Sequence, residues 1–173
     1  DVWAGYAVAT NLKNPKDYAV SNVKGQWIVP SVSCSISDTY SAVWVGIDGY
    51  SSNTVEQIGT EQDCINGQPT YSAWVEMFPR DPYTIDNPVS PGDTITAEVE
   101  YIDNGYFQLT LSDKSVNPDI HSDWDFSITL LEPRAKRSSA EWIVEAPTLV
   151  SRNTLAQISP LANFGNVNFN NTQ

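Results

Sequence analysis

Hydrophobic and polar residues alternate along most of this chain, in short runs separated by Pro, Gly and polar turn residues. The clearest run is 140–146. Ala140, Trp142, Val144 and Ala146 fall on one side, and Glu141, Ile143 and Glu145 fall on the other. Trp, Ile and Val suit a pleated, half-buried surface, so the run is predicted as a strand that Pro147 ends. The same reasoning predicts strands over 18–30, 40–49, 54–60, 69–78, 93–102, 106–112, 123–132, 140–145, 154–158 and 164–169. Asp103-Asn104-Gly105 joins two of them as a tight hairpin, because Asn-Gly accepts the positive φ of such turns. Sustained helical periodicity is missing. Many short strands without intervening helices predict an all-β fold, a sandwich of two antiparallel sheets. No linker is long enough to divide it, so residues 1–173 are expected to form one domain.

Composition narrows the picture. The chain has 173 residues, 40% of them hydrophobic and six of them Trp, enough for a sizeable core. No apolar run approaches membrane-spanning length, so no membrane partner is expected. Nine Lys plus Arg stand against 21 Asp plus Glu, a formal charge of −12, which argues against a nucleic-acid partner. Few cations also means little self-repulsion once the carboxylates are neutralised in acid. Residue 1 is Asp and no signal-peptide pattern is present, so the chain reads as a processed mature form of a secreted protein, or a trimmed one. Cys34 and Cys64, each beside polar loop residues, read as one disulfide; the alternative is two free thiols. His121 is the only histidine, and no His/Cys cluster supports a metal.

Some residues carry candidate chemistry. On 140–146 two carboxylates leave one face, with Ile143 between them; this suits either a general base beside an apolar neighbour or a wetted outer face. Trp44, Gly46 and Asp48 share a face on 43–49, either as a groove wall where Gly46 lets a peptide approach or as a core strand ending at an Asp-Gly turn. Gln57 on 54–60 offers two N–H donors and one acceptor and does not titrate in acid, although a strand Gln is usually just solvated. Trp74, Glu76 and Phe78 share a face on 71–79. Pro79, Pro82, Pro88 and Pro91 stiffen the next stretch, which is either a flap or a rigid excursion.

Taken together, these segments resemble the glutamic peptidases, the eqolisin family of pepstatin-insensitive acid endopeptidases. The carriers are Val2-Trp3-Ala4-Gly5-Tyr6, then Gly25-Gln26-Trp27-Ile28-Val29-Pro30, then Trp44-Val45-Gly46-Ile47-Asp48-Gly49, then Gln57-Ile58-Gly59. Tyr71-Ser72-Ala73-Trp74-Val75-Glu76-Met77-Phe78-Pro79, Ala140-Glu141-Trp142-Ile143-Val144-Glu145 and the closing 161–169 complete the set, in the family's order along nearly the whole chain. The resemblance implies a lectin-like (concanavalin A-like) sandwich with its site on one concave face. It implies Glu141 as the general base that activates water and later protonates the leaving amine, and Gln57 as the group that orients the water and stabilises the oxyanion. Trp44, Asp48, Trp74 and Glu76 are carried over as substrate-binding residues. Val75, Met77 and Phe78 replace family aromatics, which puts subsite preference in doubt. The function implied is a secreted acid endopeptidase acting as a monomer on proteins or peptides, without metal or cofactor. Two alternatives stay open: a β-sandwich glycoside hydrolase using Glu76 and Glu141, and a carbohydrate-binding module using exposed Trp residues.

Overall fold

The computed structural model describes residues 2–149 and 157–173. Its strands are β1 (Trp3–Ala9), β2 (Asn22–Ile28), β3 (Ala42–Asp48), β4 (Val55–Ile65), β5 (Gln68–Phe78), β6 (Tyr83–Ile85), β7 (Thr94–Tyr101), β8 (Tyr106–Lys114), β9 (Trp124–Leu131), β10 (Ser139–Glu145), β11 (Thr148–Leu149) and β12 (Gln157–Ile158). No helix occurs among the described residues. Six strands form one sheet in the order β1-β10-β3-β4-β5-β6, and four form another in the order β2-β7-β8-β9. All pairings are antiparallel. The fold is the expected all-β sandwich.

The side-chain alternation read from the sequence decides what lies between the sheets. Val43, Val45, Ile47, Ile58, Val75, Met77 and Trp142 come from the six-stranded sheet. They meet Val23, Trp27, Ile95, Ala97, Val99, Phe107, Leu109 and Leu111 from the other. Each fully buried large side chain contributes about 1.5–3 kcal/mol. The opposite face of the six-stranded sheet carries a second apolar cluster, in which Trp3 packs on Ala42, Trp44, Val55, Trp74 and Ile143. Apolar residues on both faces explain why every residue of β3 is buried.

The Asn104-Gly105 turn joins β7 to β8, with φ of 48° and 84°. A second Asn-Gly turn at 66–67 lets β4 run on to Ile65, five residues past its predicted end. Cys64 therefore lies buried within this strand rather than in a loop, bonded to Cys34 across a separation of 30 residues. Closing a loop of that size stabilises by about 3–4 kcal/mol in the chain-entropy view.

Other boundaries differ too. β1 was not predicted, because its residues are mostly exposed or half-buried and give no clean alternation; pairing with β10 makes it a strand. Tyr83–Ile85 forms a short edge strand inside the proline-rich loop. The 18–30 run contracts to β2, since 18–20 bonds to the backbone of 136–137 instead. Residues 164–169 form no strand; the C-terminal segment bonds to β2 only around Lys24 and Gln26, and Phe169 packs edge-on to Trp27 at 5.9 Å. Of 154–158, only 157–158 lies within the described residues, as β12.

Candidate active site

Strand register lines up four residues across the face that points away from the sandwich core. Glu141 on β10 pairs with Gly46 on β3, Gly46 with Gln57 on β4, and Gln57 with Glu76 on β5. Neighbouring strands lie about 4.8 Å apart, so the backbones of Glu141 and Gln57 stand about 10 Å apart across a residue with no side chain. The next row on the same face is Ile143, Trp44, Gly59 and Trp74. Gly59 is required there: an added Cβ would sit 2.2 Å from the Val43 carbonyl oxygen and 2.6 Å from the Trp44 Cβ. The third row is Glu145, Ala42, Glu61 and Ser72, with Trp3 of β1 beside Glu145. The result is a trough-like face, most of it buried, with acidic and amide groups in one row and indoles in the next.

The polar groups are held, and some are left unfilled. Glu141 is fully buried; its Oε1 accepts a hydrogen bond from Ser139 Oγ at 2.9 Å, and its Oε2 has no partner. Gln57 donates from Nε2 to Glu76 Oε2, while its Oε1 has no partner. The indole N–H of Trp74 is also buried without an acceptor. A buried polar atom without a partner costs about 1–3 kcal/mol.

Burial pushes Glu141 up to about 7; the Ser139 hydroxyl and the Tyr50 N–H oppose the rise, and the Asp48 carboxylate adds to it. Glu76 is also pushed up to about 7 by burial, opposed by the Gln57 amide and reinforced by Glu145, Asp81 and Glu61. Burial therefore outweighs the hydrogen bonds that favour the Glu141 carboxylate, and Gln57 gives one N–H to Glu76 rather than to Glu141.

The model of the peptidase A4 family matches residues 1–173. The chain belongs to the peptidase A4 family. Aspergillopepsin-2 from Aspergillus niger is 29% identical over 174 residues, 88% of this chain. The chain spans 59% of that relative's own length. A scytalido-glutamic peptidase, solved with a transition state analog inhibitor, shares the fold with a TM-score of 0.78 at 24% identity, covering 99% of this chain and 78% of its own. A member of the eqolisin family of peptidases, solved with the tripeptide Ala-Ile-His, has a TM-score of 0.74 at 24% identity, covering 99% of this chain and 77% of its own.

Within this family member, the register brings Gln57, Glu141 and Glu76 into one row, with Trp44 and Trp74 in the next. Trp44 is fully buried, donates from Nε1 to Glu145 Oε2 at 3.0 Å and packs edge-on to Trp3 at 4.9 Å. Asp48 lies elsewhere. It is fully buried with a φ of 70°, and its carboxylate accepts from the backbone N–H groups of Arg137 and Ser138 and from Ser138 Oγ. These bonds occupy both oxygens, so Asp48 anchors the segment entering β10 instead of presenting itself to the trough. Sequence reasoning passed over Ser139 and Glu61, and it placed Glu145 on the Glu141 face without giving it a role. Ser139 could have been found, because it is two residues from Glu141 and so shares its face.

Proposed function

We propose that this protein is a glutamic-type endopeptidase that hydrolyses peptide bonds in acid, with Glu141 and Gln57 as its catalytic pair. The observation that carries the reading is the row Glu141, Gly46, Gln57 on three adjacent strands, with an unpartnered oxygen on each of the two flanking side chains. A water held between them donates one hydrogen to Glu141 and the other to Gln57 Oε1. The bound water supplies the hydrogen bond that Glu141 Oε2 lacks, which draws the Glu141 pKa down from its raised value without substrate, and the resulting carboxylate takes the first proton as the water oxygen attacks the peptide carbonyl. The carbonyl oxygen becomes an oxyanion, stabilised by the second N–H of Gln57. Glu76, bonded to the first N–H, fixes which end of the amide faces the oxyanion. Glu141 then passes its proton to the departing amine, the C–N bond breaks, and the carboxylate is restored. These residues complete the reaction without a metal or cofactor.

Trp3, half-buried over Trp44 and Trp74, offers an apolar wall to substrate side chains, and the unpartnered Trp74 indole N–H offers a donor to the peptide backbone. Membership of the A4 family and the names of the relatives support peptide hydrolysis. The Cys34–Cys64 bond supports a secreted protein, matured in an oxidising compartment. We place the active form as a monomeric single domain. The glycosidase reading is weaker: Gln57 stands between Glu76 and Glu141, and its amide is bonded to the Glu76 carboxylate, where a sugar bond would have to lie between the two carboxyls.

Release of peptides from a denatured protein at pH 4, against release of sugars from soluble polysaccharides, separates the readings. Peptide release that persists with pepstatin is expected. Sugar release without peptide release would overturn the proposal.

A further inference from the structure

Far from the trough in sequence and on the other sheet, Asp93, Asp113 and His121 converge, with one donor atom from each lying within 4.8 Å of the others. Asp93 precedes β7, Asp113 lies near the end of β8, and His121 lies in the segment that leads to β9. The side chain of His121 is 6% exposed and that of Asp93 fully buried. Asp113 occupies an inward register position on β8 that continues the apolar row Phe107, Leu109 and Leu111. It is 2% exposed, and neither of its carboxylate oxygens has a hydrogen-bond partner.

The hydrogen bonds around the cluster define what it lacks. Asp93 is fixed by the backbone: Oδ1 accepts from Val116 N at 2.8 Å and Oδ2 from Ser90 N at 2.6 Å. His121 Nδ1 lies 3.1 Å from the Ser122 carbonyl oxygen, which can only accept, so Nδ1 carries a hydrogen. Nε2 then points at Asp93 Oδ2 at 2.9 Å. In a neutral ring its lone pair would face a carboxylate lone pair, and Asp113 adds two more oxygens without a donor. Positive charge is missing from the centre of the group. A proton on the imidazole would satisfy Asp93, and Asp113 would then need a proton of its own; one divalent cation would satisfy all three. The backbone carbonyl on Nδ1 and the two N–H groups on Asp93 are the outer contacts that orient metal-binding side chains.

We propose that Asp93, Asp113 and His121 form a site with one open position for a divalent transition-metal ion of the zinc type, which ties the 115–123 segment to β7 and β8. One imidazole nitrogen with two carboxylates suits zinc, with ligands at about 2.0–2.2 Å and water in the fourth position. Tetrahedral ligands at that range sit about 3.4 Å apart, so the widest pair closes by about 1.4 Å through side-chain rotation. A cleft of about 290 Å³, lined in part by Asp113, Asp123 and Trp124, borders the cluster on its Asp113 side. The expectation of no metal rested on the single histidine; the carboxylates that meet it are too far away in sequence to form a recognisable spacing. The site stands apart from the peptidase reading and does not depend on it.

The test is calorimetric titration of the intact, chelator-stripped protein with zinc chloride at pH 6.5, with thermal melting in parallel. One ion per chain is expected, with a rise in Tm of several degrees. Affinity should fall at least tenfold in both Asp113→Asn and His121→Gln, but not in Asp86→Asn, an exposed carboxylate elsewhere. If Asp113→Asn fails to fold, His121→Gln alone decides. No heat and no change in Tm, or zinc binding equally strong in His121→Gln, would overturn the proposal and leave an Asp93–His121 ion pair beside a protonated Asp113.

Discussion

At the scale of single residues, the proposed catalysis rests on two side chains of different kinds. Gln57 cannot ionise, so its contribution is geometric and electrostatic and does not vary with pH. Gln57→Ala removes the oxyanion donor and should lower kcat by about 100- to 1000-fold, measured on a peptide substrate at saturation. Glu141 does ionise, and the Ser139 hydroxyl stabilises its charged form. Ser139→Ala removes that bond, so the Glu141 pKa rises further. The acid limb of kcat/KM, which follows ionisation of the free protein's base, should then move to higher pH. An unmoved limb would show that another group sets it. Asp48 teaches a different lesson. Its place on the Trp44-Gly46 face was legible, yet its positive φ and the three donors from 137–138 turn it into an anchor, and those donors lie 89 and 90 residues away in the sequence.

At the scale of elements, the trough is a product of register. Alternation on 140–146 and 43–49 correctly separated inner from outer side chains, because burial on one face enforces the two-residue period. Alternation could not reveal that Glu141, Gly46, Gln57 and Glu76 fall in one row, since that depends on which strands pair and with what offset. It missed β1 for the same reason: an edge strand with exposed residues exists only through its partner β10. Two glycines on adjacent rows give an element-level test. At Gly59 a Cβ would collide with the Val43 carbonyl oxygen at 2.2 Å, so Gly59→Ala should lower Tm steeply. At Gly46 the nearest atoms to a Cβ are 3.0–3.2 Å away, beginning with the far edge of the Trp44 ring. Gly46→Ala crowds a buried ring and the Glu56 carbonyl oxygen, so it should lower Tm, though less than Gly59→Ala, and it should fill the gap between the proposed catalytic side chains, lowering kcat/KM at least tenfold. Paired melting and activity measurements check both, and equal activity in Gly46→Ala would show that the gap is not where substrate or water sits.

At the scale of the whole molecule, acidity is built into the buried carboxyls. Burial pushes Glu56 up to about 9, with Asp48 adding to the rise. Burial also pushes Asp63 up to about 7, with Glu61 adding to it. Glu76 and Glu141 likewise rise to about 7. A carboxyl whose folded pKa exceeds its unfolded value, 4.5 for Glu and 3.8 for Asp, holds its proton more tightly in the folded state. Its contribution is full below the unfolded pKa and is lost as pH rises through the folded one. Glu132 runs the other way, lowered chiefly by its bonds from Arg134, and favours the fold above its unfolded pKa. The raised group outnumbers it, so urea midpoints should fall steadily from pH 4 through pH 7 and beyond. A midpoint that rises over that range would contradict the burial of these carboxyls. The acidic composition hinted at this behaviour, but which carboxyls are buried is a property of the assembled sandwich.

The most direct measurement is turnover of a peptide substrate by Glu141→Gln, with its thermal melt recorded under the same acidic conditions. The substitution keeps the shape of the side chain and removes only its ability to take a proton. The account expects a folded protein, with Tm at or above that of the unsubstituted chain because a buried carboxyl has been replaced by a neutral amide, and no detectable hydrolysis. A folded Glu141→Gln protein that still cleaves peptides at near-normal rate would contradict it.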